Sequence, residues 1–251
     1  VFRALRGIDL HSMKSFSIGP LLRTVAAATA VILIGAAAAA GEVRVFYGTA
    51  VNEDGELEYT EQHALKLDDG RIVESETTYF DPSYREIGSL VSEYSRGQQF
   101  GSYDFVDLRA GYRDGVRVLE DRILLYHSEG AAETPKTRYL PREAGQVVGQ
   151  GFNYFIAENI GILAGGGTLK IKLILPSRLD QFDFRIRKRM IEGDTLFVRL
   201  EIDNPILRLF APHIDAAYDM QTGRLMRYEG ISNLTDGAGE YRHVTINYEY
   251  R

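Results

Sequence analysis

The sequence predicts a mainly β (α+β) fold: a strongly curved antiparallel sheet, a half-barrel of about ten strands, wrapped around one amphipathic helix. Three observations predict it. Most of residues 41–251 reads as short runs in which apolar and polar residues alternate, the period of a half-buried strand. Glycine- and asparagine-containing turns punctuate these runs, as hairpins require. One stretch, residues 151–164, changes to a helical period, and its single apolar face has only the sheet to lie against.

The N-terminal forty residues have a different character. From Met13 the chain carries Lys14 and Arg23, then the uncharged run Thr24–Ala40, closing on Ala38-Ala39-Ala40. A basic start, an apolar centre and small residues before a cleavage point make a signal peptide. Residues 13–40 are therefore expected to be removed before Gly41, and residues 1–12 to be a non-native upstream extension. The remaining 41–251 form a single β-rich envelope domain, with the periplasm as the expected address. The competing expectation is an uncleaved N-terminal membrane anchor. Against it, the run is 17 residues long and rich in alanine, where a spanning helix takes about 20 strongly apolar ones.

The β pattern begins at Val43–Tyr47 and turns at Asn52–Gly55. Leu57, Tyr59, His63, Leu65 and Leu67 then share one face, with Glu61 interrupting it. Asp69-Gly70 reads as a two-residue hairpin turn, because both its central positions need positive φ. Residues 71–80 return as its partner and stop at Asp81-Pro82. Segments 103–109, 115–126 and 136–140 read as further strands, with Asp114-Gly115 as the turn between the first two. Phe152, Phe155, Ile156, Ile160 and Leu163 then fall on one helical face, and Gly165-Gly166-Gly167 stops that helix. Strands resume at 169–175, 182–187, 196–202, 214–219, 224–230 and 244–250. Asn204-Pro205 reads as the cap of a short helix, Ile206–Phe210.

Charge and composition exclude several functions. The chain holds 29 Lys+Arg against 35 Asp+Glu; without residues 1–40 these become 25 and 34, a net charge of −9. Such a surface argues against nucleic acid as a partner, since phosphate contacts need cations. The absence of cysteine rules out disulfides, thiolate metal sites and lipid attachment to cysteine.

Motifs with catalytic mechanics are missing. Glu61-x-His63 and His213-x-Asp215 each place two ligand-type side chains on one strand face, but no H-E-x-x-H or clustered ligand set accompanies them. No serine sits in G-x-S-x-G, and the glycines flanking residues 151–164 lack the spacing of a nucleotide loop. No catalytic residue, metal or cofactor is assigned, and an enzymatic role is not the expectation. A hydrolase would need two or more histidines and carboxylates meeting in one cleft. An outer-membrane barrel is opposed by Glu61, Glu74, Glu76, Glu120 and Arg122, which interrupt the strand faces.

The run Gly151-Phe152, Phe155-Ile156, Glu158-Asn159, Leu163 and Gly165, followed by Leu175-Pro176-Ser177-Arg178 and Phe184-Arg185, resembles a family of exported bacterial β-rich proteins without assigned activity. In architecture, an exported sheet curved over a helix is similar to the lipoprotein-carrier (LolA-like) half-barrels. That similarity implies a lipid or acyl chain held between sheet and helix. The leading expectation is accordingly a periplasmic carrier or binding domain for an apolar or acyl ligand, lined by Phe152, Phe155, Ile156, Ile160 and Leu163. The alternative is an envelope protein-interaction module without a small ligand, marked by an exposed apolar patch or open strand edge. Lys170, Lys172, Arg185, Arg187 and Arg199 would share the outer face of adjacent strands, a basic patch suited to an anionic headgroup or an envelope protein.

Overall fold

A computed structural model describes residues 42–250 apart from Arg96, Phe210 and Gly237. The expected signal peptide, upstream extension and cleavage point at Gly41 lie outside the described residues.

The chain forms one large, curved antiparallel sheet that stays open rather than closing into a barrel. Its strands are β1 (Glu42–Val51), β2 (Leu57–Asp68), β3 (Arg71–Phe80), β4 (Glu86–Glu93), β5 (Ser102–Asp107), β6 (Tyr112–Val118), β7 (Arg122–Ser128) and β8 (Lys136–Pro141) in the first half. The second half holds β9 (Gln146–Val148), β10 (Thr168–Leu175), β11 (Asp180–Glu192), β12 (Thr195–Ile202), β13 (Ile214–Asp219), β14 (Leu225–Thr235) and β15 (Tyr241–Tyr250). Each half is a meander. They join where β1 pairs with β15, Phe46 facing Tyr250 in register. The edges of the sheet are thus β8 and β9, neighbours along the chain.

Side chains, not a strand ladder, hold those edges together. Arg138 of β8 donates to the Leu179 carbonyl at 3.1 Å and pairs with Asp180 at 3.0 Å. Gln146 of β9 donates to the Pro141 carbonyl at 3.0 Å. A second closure lies deeper. Asp107, at the end of β5, accepts hydrogen bonds from the Thr235 amide and hydroxyl of β14 at 3.0 and 2.9 Å, across the concave side of the sheet.

The fold class agrees with expectation, and the fifteen strands exceed the expected number for identifiable reasons. Segment 115–126 contains a turn and is split between β6 and β7. β4 was invisible because Gly88, Ser89 and Ser92 give it weak strand propensity. Only three residues make β9, the one parallel neighbour in the sheet. The Asp69-Gly70 turn is as expected, with φ of 47° and 72°. Asp114-Gly115, by contrast, is no turn: it lies inside β6. The reversal falls just before, around Gly111 at φ 63°. Gly115 is needed there because the Tyr126 ring folds across it, leaving a Cβ only 2.3 Å from the tyrosine hydroxyl.

The expected helix is interrupted. α1 (Gly151–Glu158) and α2 (Ile160–Ala164) meet at Asn159, whose side chain donates back to the Phe155 carbonyl at 2.9 Å. Asparagine competes for backbone partners in this way and ends a helix. Asn159 then restarts one, its own carbonyl accepting from the Ile162 amide at 3.0 Å. The capped segment after Asn204 shortens to a 3-10 turn at Leu207–Leu209, with Asn204 Oδ1 accepting from the Ile206 and Leu207 amides.

The inner face of the sheet is chemically divided. β10 to β13 present Ile171, Leu173, Ile186, Val198, Leu200 and Ala216, all buried. β2 to β7 bury Glu61, His63, Ser75, Thr77, Ser92, Asp114 and His127 among their aromatics. The helical segment takes the apolar half: α1 lies against β9 and α2 against β10 to β12. Ile156 and Leu163 are the residues driven fully into this contact. Polar side chains cannot be buried without partners, so the other half of the concavity remains for something else.

Candidate functional site

What remains is a cavity of about 100 Å³ between the first turn of α1 and the polar half of the sheet. Its floor is β2, where alternation turns Tyr59, Glu61 and His63 to the same side. From β3, β5 and β6 come Tyr79, Phe105, Tyr112 and Asp114; from β14 and β15, Tyr228 and Tyr248; from the helix, Phe152 and Asn153. Gly149 and Gln150 complete the side beneath the helix.

The helix start is fastened on both sides of this space. Gln150 shares hydrogen bonds with Ser75 and Thr77 of β3, at 3.3 and 3.4 Å. Asn153 accepts from the Tyr218 hydroxyl of β13 at 2.7 Å. Tyr94 and Tyr154 meet edge to face, 5.4 Å between centroids.

Aromatic rings run along the wall in an edge-to-face series: Tyr59–Tyr79 at 6.0 Å and Tyr79–Phe105 at 6.2 Å. Burial pushes the phenols of Tyr79, Tyr103, Tyr228 and Tyr248 well above their ordinary value, and the Glu61 charge adds to this at Tyr79, Tyr228 and Tyr248. All four are therefore neutral hydroxyls at physiological pH.

His63 is locked in a relay. Its Nε2 is 2.8 Å from Glu61 Oε2 and its Nδ1 is 2.8 Å from Thr77 Oγ1. Phe46 stacks flat on the imidazole, 4.2 Å away. Carboxylate, imidazole and hydroxyl in series resemble a nucleophilic triad in connectivity. Thr77, however, is fully buried and does not line the cavity, so no substrate reaches its oxygen. Among the described residues no group of three histidine, cysteine or acidic side chains converges as a metal site. His213 and Asp215 stand 3.6 Å apart on the other half of the sheet, and Asp215 is bonded to Arg199 at 2.7 Å.

Of the five helix residues expected to line a ligand site, Phe152 reaches the cavity. Ile156 and Leu163 are buried in the core, with Phe155 and Ile160 packed at its margin. The residues that sequence reasoning missed are the tyrosines and Asp114. Asp114 was assigned to a turn, although a strand through 112–118 points Tyr112, Asp114 and Val116 to one side.

The five outer-face cations do share neighbouring positions, each with a carboxylate partner. Lys170 pairs with Asp203 at 2.8 Å, Lys172 with Glu143, and Arg199 with Asp215. Arg185 and Arg187 both grip Glu201 Oε1, at 2.6 and 3.0 Å. Burial alone would push the Glu201 carboxyl up, but hydrogen bonds from Arg187 and Arg185 outweigh it and hold the group below its ordinary value. A carboxyl lowered in the folded state adds stability above its unfolded value of about 4.3. That stability is lost as pH falls through the folded value. Glu201→Gln is expected to cost about 2 kcal/mol at pH 7 and to flatten the loss of urea stability between about pH 5 and pH 3. Parallel pH profiles for the two proteins would remove the ladder from the acid response.

No family model matches the chain, and no curated protein does. Among solved structures it is similar to the crystal structure of a beta-barrel-like protein of domain of unknown function DUF1849 from Brucella abortus. That likeness has 8% identity and a TM-score of 0.39, covering 84% of this chain and 98% of the other.

Proposed function

We propose that this chain is an exported small-ligand binding domain, which holds its ligand in the cavity between the first turn of α1 and β2, β3, β5, β6, β14 and β15. The observation that carries the reading is the cavity itself, an enclosure lined by tyrosine hydroxyls, two carboxylates and Phe152 inside an otherwise packed sheet. Protein interiors close such voids unless something occupies them. The volume narrows the ligand. About 100 Å³ is somewhat below the roughly 150 Å³ of an apolar cavity that takes one benzene. It suits a compact molecule better than a full acyl chain, and its hydroxyls suit a polar one. The signal-like segment 13–40 supports export.

The interaction-module reading asks for an open strand edge. β8 is one, but it carries Lys136, Arg138 and Pro141, residues that block edge pairing.

The test is mass spectrometry of organic extracts of the protein purified from the periplasmic fraction of expressing cells, where its first residue is expected to be Gly41. A stoichiometric small molecule is expected. Leu225→Trp, at the partly buried rim, is expected to reduce its retention about tenfold by filling the space. Lipid in the extract restores the acyl-carrier reading, an empty extract defeats binding, and retention of residues 1–40 defeats export.

A further inference from the structure

We propose that the ligand is a small organic cation, a protonated amine or quaternary ammonium, seated against Glu61 and Asp114 within the tyrosine wall. This rests on the small-ligand reading above.

The charge balance of the cavity points to it. Two carboxylates face the space, and among the described residues that line it there is no lysine or arginine. Elsewhere in the molecule the buried acids are matched. Glu201 has Arg185 and Arg187, and Asp107 accepts from two amides at its own turn and from the Thr235 amide and hydroxyl. His63 is the only base in the lining, and both its nitrogens are engaged. A protonated His63 would offset Glu61 alone, with Asp114 still facing the cavity. The Tyr112 hydroxyl reaches Asp114 at 2.9 Å, which supplies a dipole and no positive charge. Burying carboxylates is costly without a counter-charge, and a bound cation supplies one.

The walls fit the same ligand. Tyr59, Tyr79, Tyr228 and Tyr248 surround the Glu61 side of the cavity, and Tyr112 lies beside Asp114. Ring faces carry negative potential and attract cations, most strongly where water is excluded. Neutral tyrosines leave that attraction intact, and burial keeps these phenols protonated.

Isothermal titration of the purified protein with tert-butylammonium, tetramethylammonium and the neutral near-isostere tert-butanol separates the possibilities. The chain has no tryptophan, so quenching of tyrosine emission gives a second readout from the cavity itself. Both cations are expected to bind at least about tenfold more tightly than tert-butanol. Glu61→Gln and Asp114→Asn, each checked for unchanged circular dichroism, are each expected to weaken cation binding about tenfold and to leave tert-butanol unaffected. If tert-butanol binds as tightly as the cations, or if neither variant discriminates, the cation inference falls and the small-ligand reading stands. If none of the three probes binds, both fall.

Discussion

Asp107→Ala is expected to lower stability by about 3–5 kcal/mol, the largest loss from any single polar side chain considered. The carboxylate is completely buried at the end of β5. It accepts from the amides of Arg109 and Ala110 at 3.0 and 3.3 Å, fixing its own turn. Its other oxygen accepts from the Thr235 amide and hydroxyl of β14. Five strands separate β5 from β14 along the sheet, so this one group ties together regions that no backbone ladder connects. Alanine leaves these donors in a space that water enters poorly, and each orphaned polar group costs about 1–3 kcal/mol. Asp107→Asn retains one acceptor and is expected to recover about half the loss. For a domain of this size, about 2–4 °C accompanies each kcal/mol. Thermal unfolding therefore reads the alanine variant as a drop of at least about 6 °C. A drop below about 2 °C would show that the sheet keeps its curvature without this link.

Gly151→Val tests the mounting of the helix. Its α-carbon passes so close to the loop before β5 that a Cβ would lie 2.4 Å from the Gln99 carbonyl oxygen and 2.7 Å from its carbon. These are backbone atoms and cannot swing aside as a long side chain would. The same Gln99 carbonyl accepts from the Val148 amide at 3.1 Å, so the loop is held from both directions. The expected cost is about 3 kcal/mol, the upper range for overpacking. The displaced first turn carries Phe152 and Asn153, two cavity residues, with it. Ligand binding is therefore expected to fall with stability. Asn159→Ala, at the far end of α1, affects the helix but touches no cavity residue. Urea denaturation and the titrations above, run on both variants, distinguish these effects. Equal binding by Gly151→Val and the wild type would place the ligand elsewhere.

Much of the local architecture was legible in the chain. Alternation on β2 marked Tyr59, Glu61 and His63 as one face, because successive side chains in a strand point to opposite sides. Asp69-Gly70 announced its hairpin through backbone sterics alone. The helical period of 151–164 located the segment that fills the concavity, and the charge alternation on β10 to β12 placed its cations on one face. These are local signals, set by repeat lengths of the backbone and by φ restrictions, and a sequence carries them directly.

Other features exist only once strands distant in sequence are side by side. Asp114-Gly115 has the composition of a turn, and its place inside β6 follows from Tyr126 on the next strand, which needs a glycine to lie across. The outer cations acquired their carboxylates through register, Arg185 opposite Glu201 and Arg199 opposite Asp215. Asp107 found Thr235 through curvature, 128 residues away. The cavity is of the same kind. The sequence by itself determined a β-rich chain with one helix and an acidic surface. Tertiary structure decided that the helix takes the apolar half of the sheet, because only that half offers burial without stranding polar groups. The half it leaves uncovered holds Glu61, Asp114 and the tyrosines, and that is where a ligand has room.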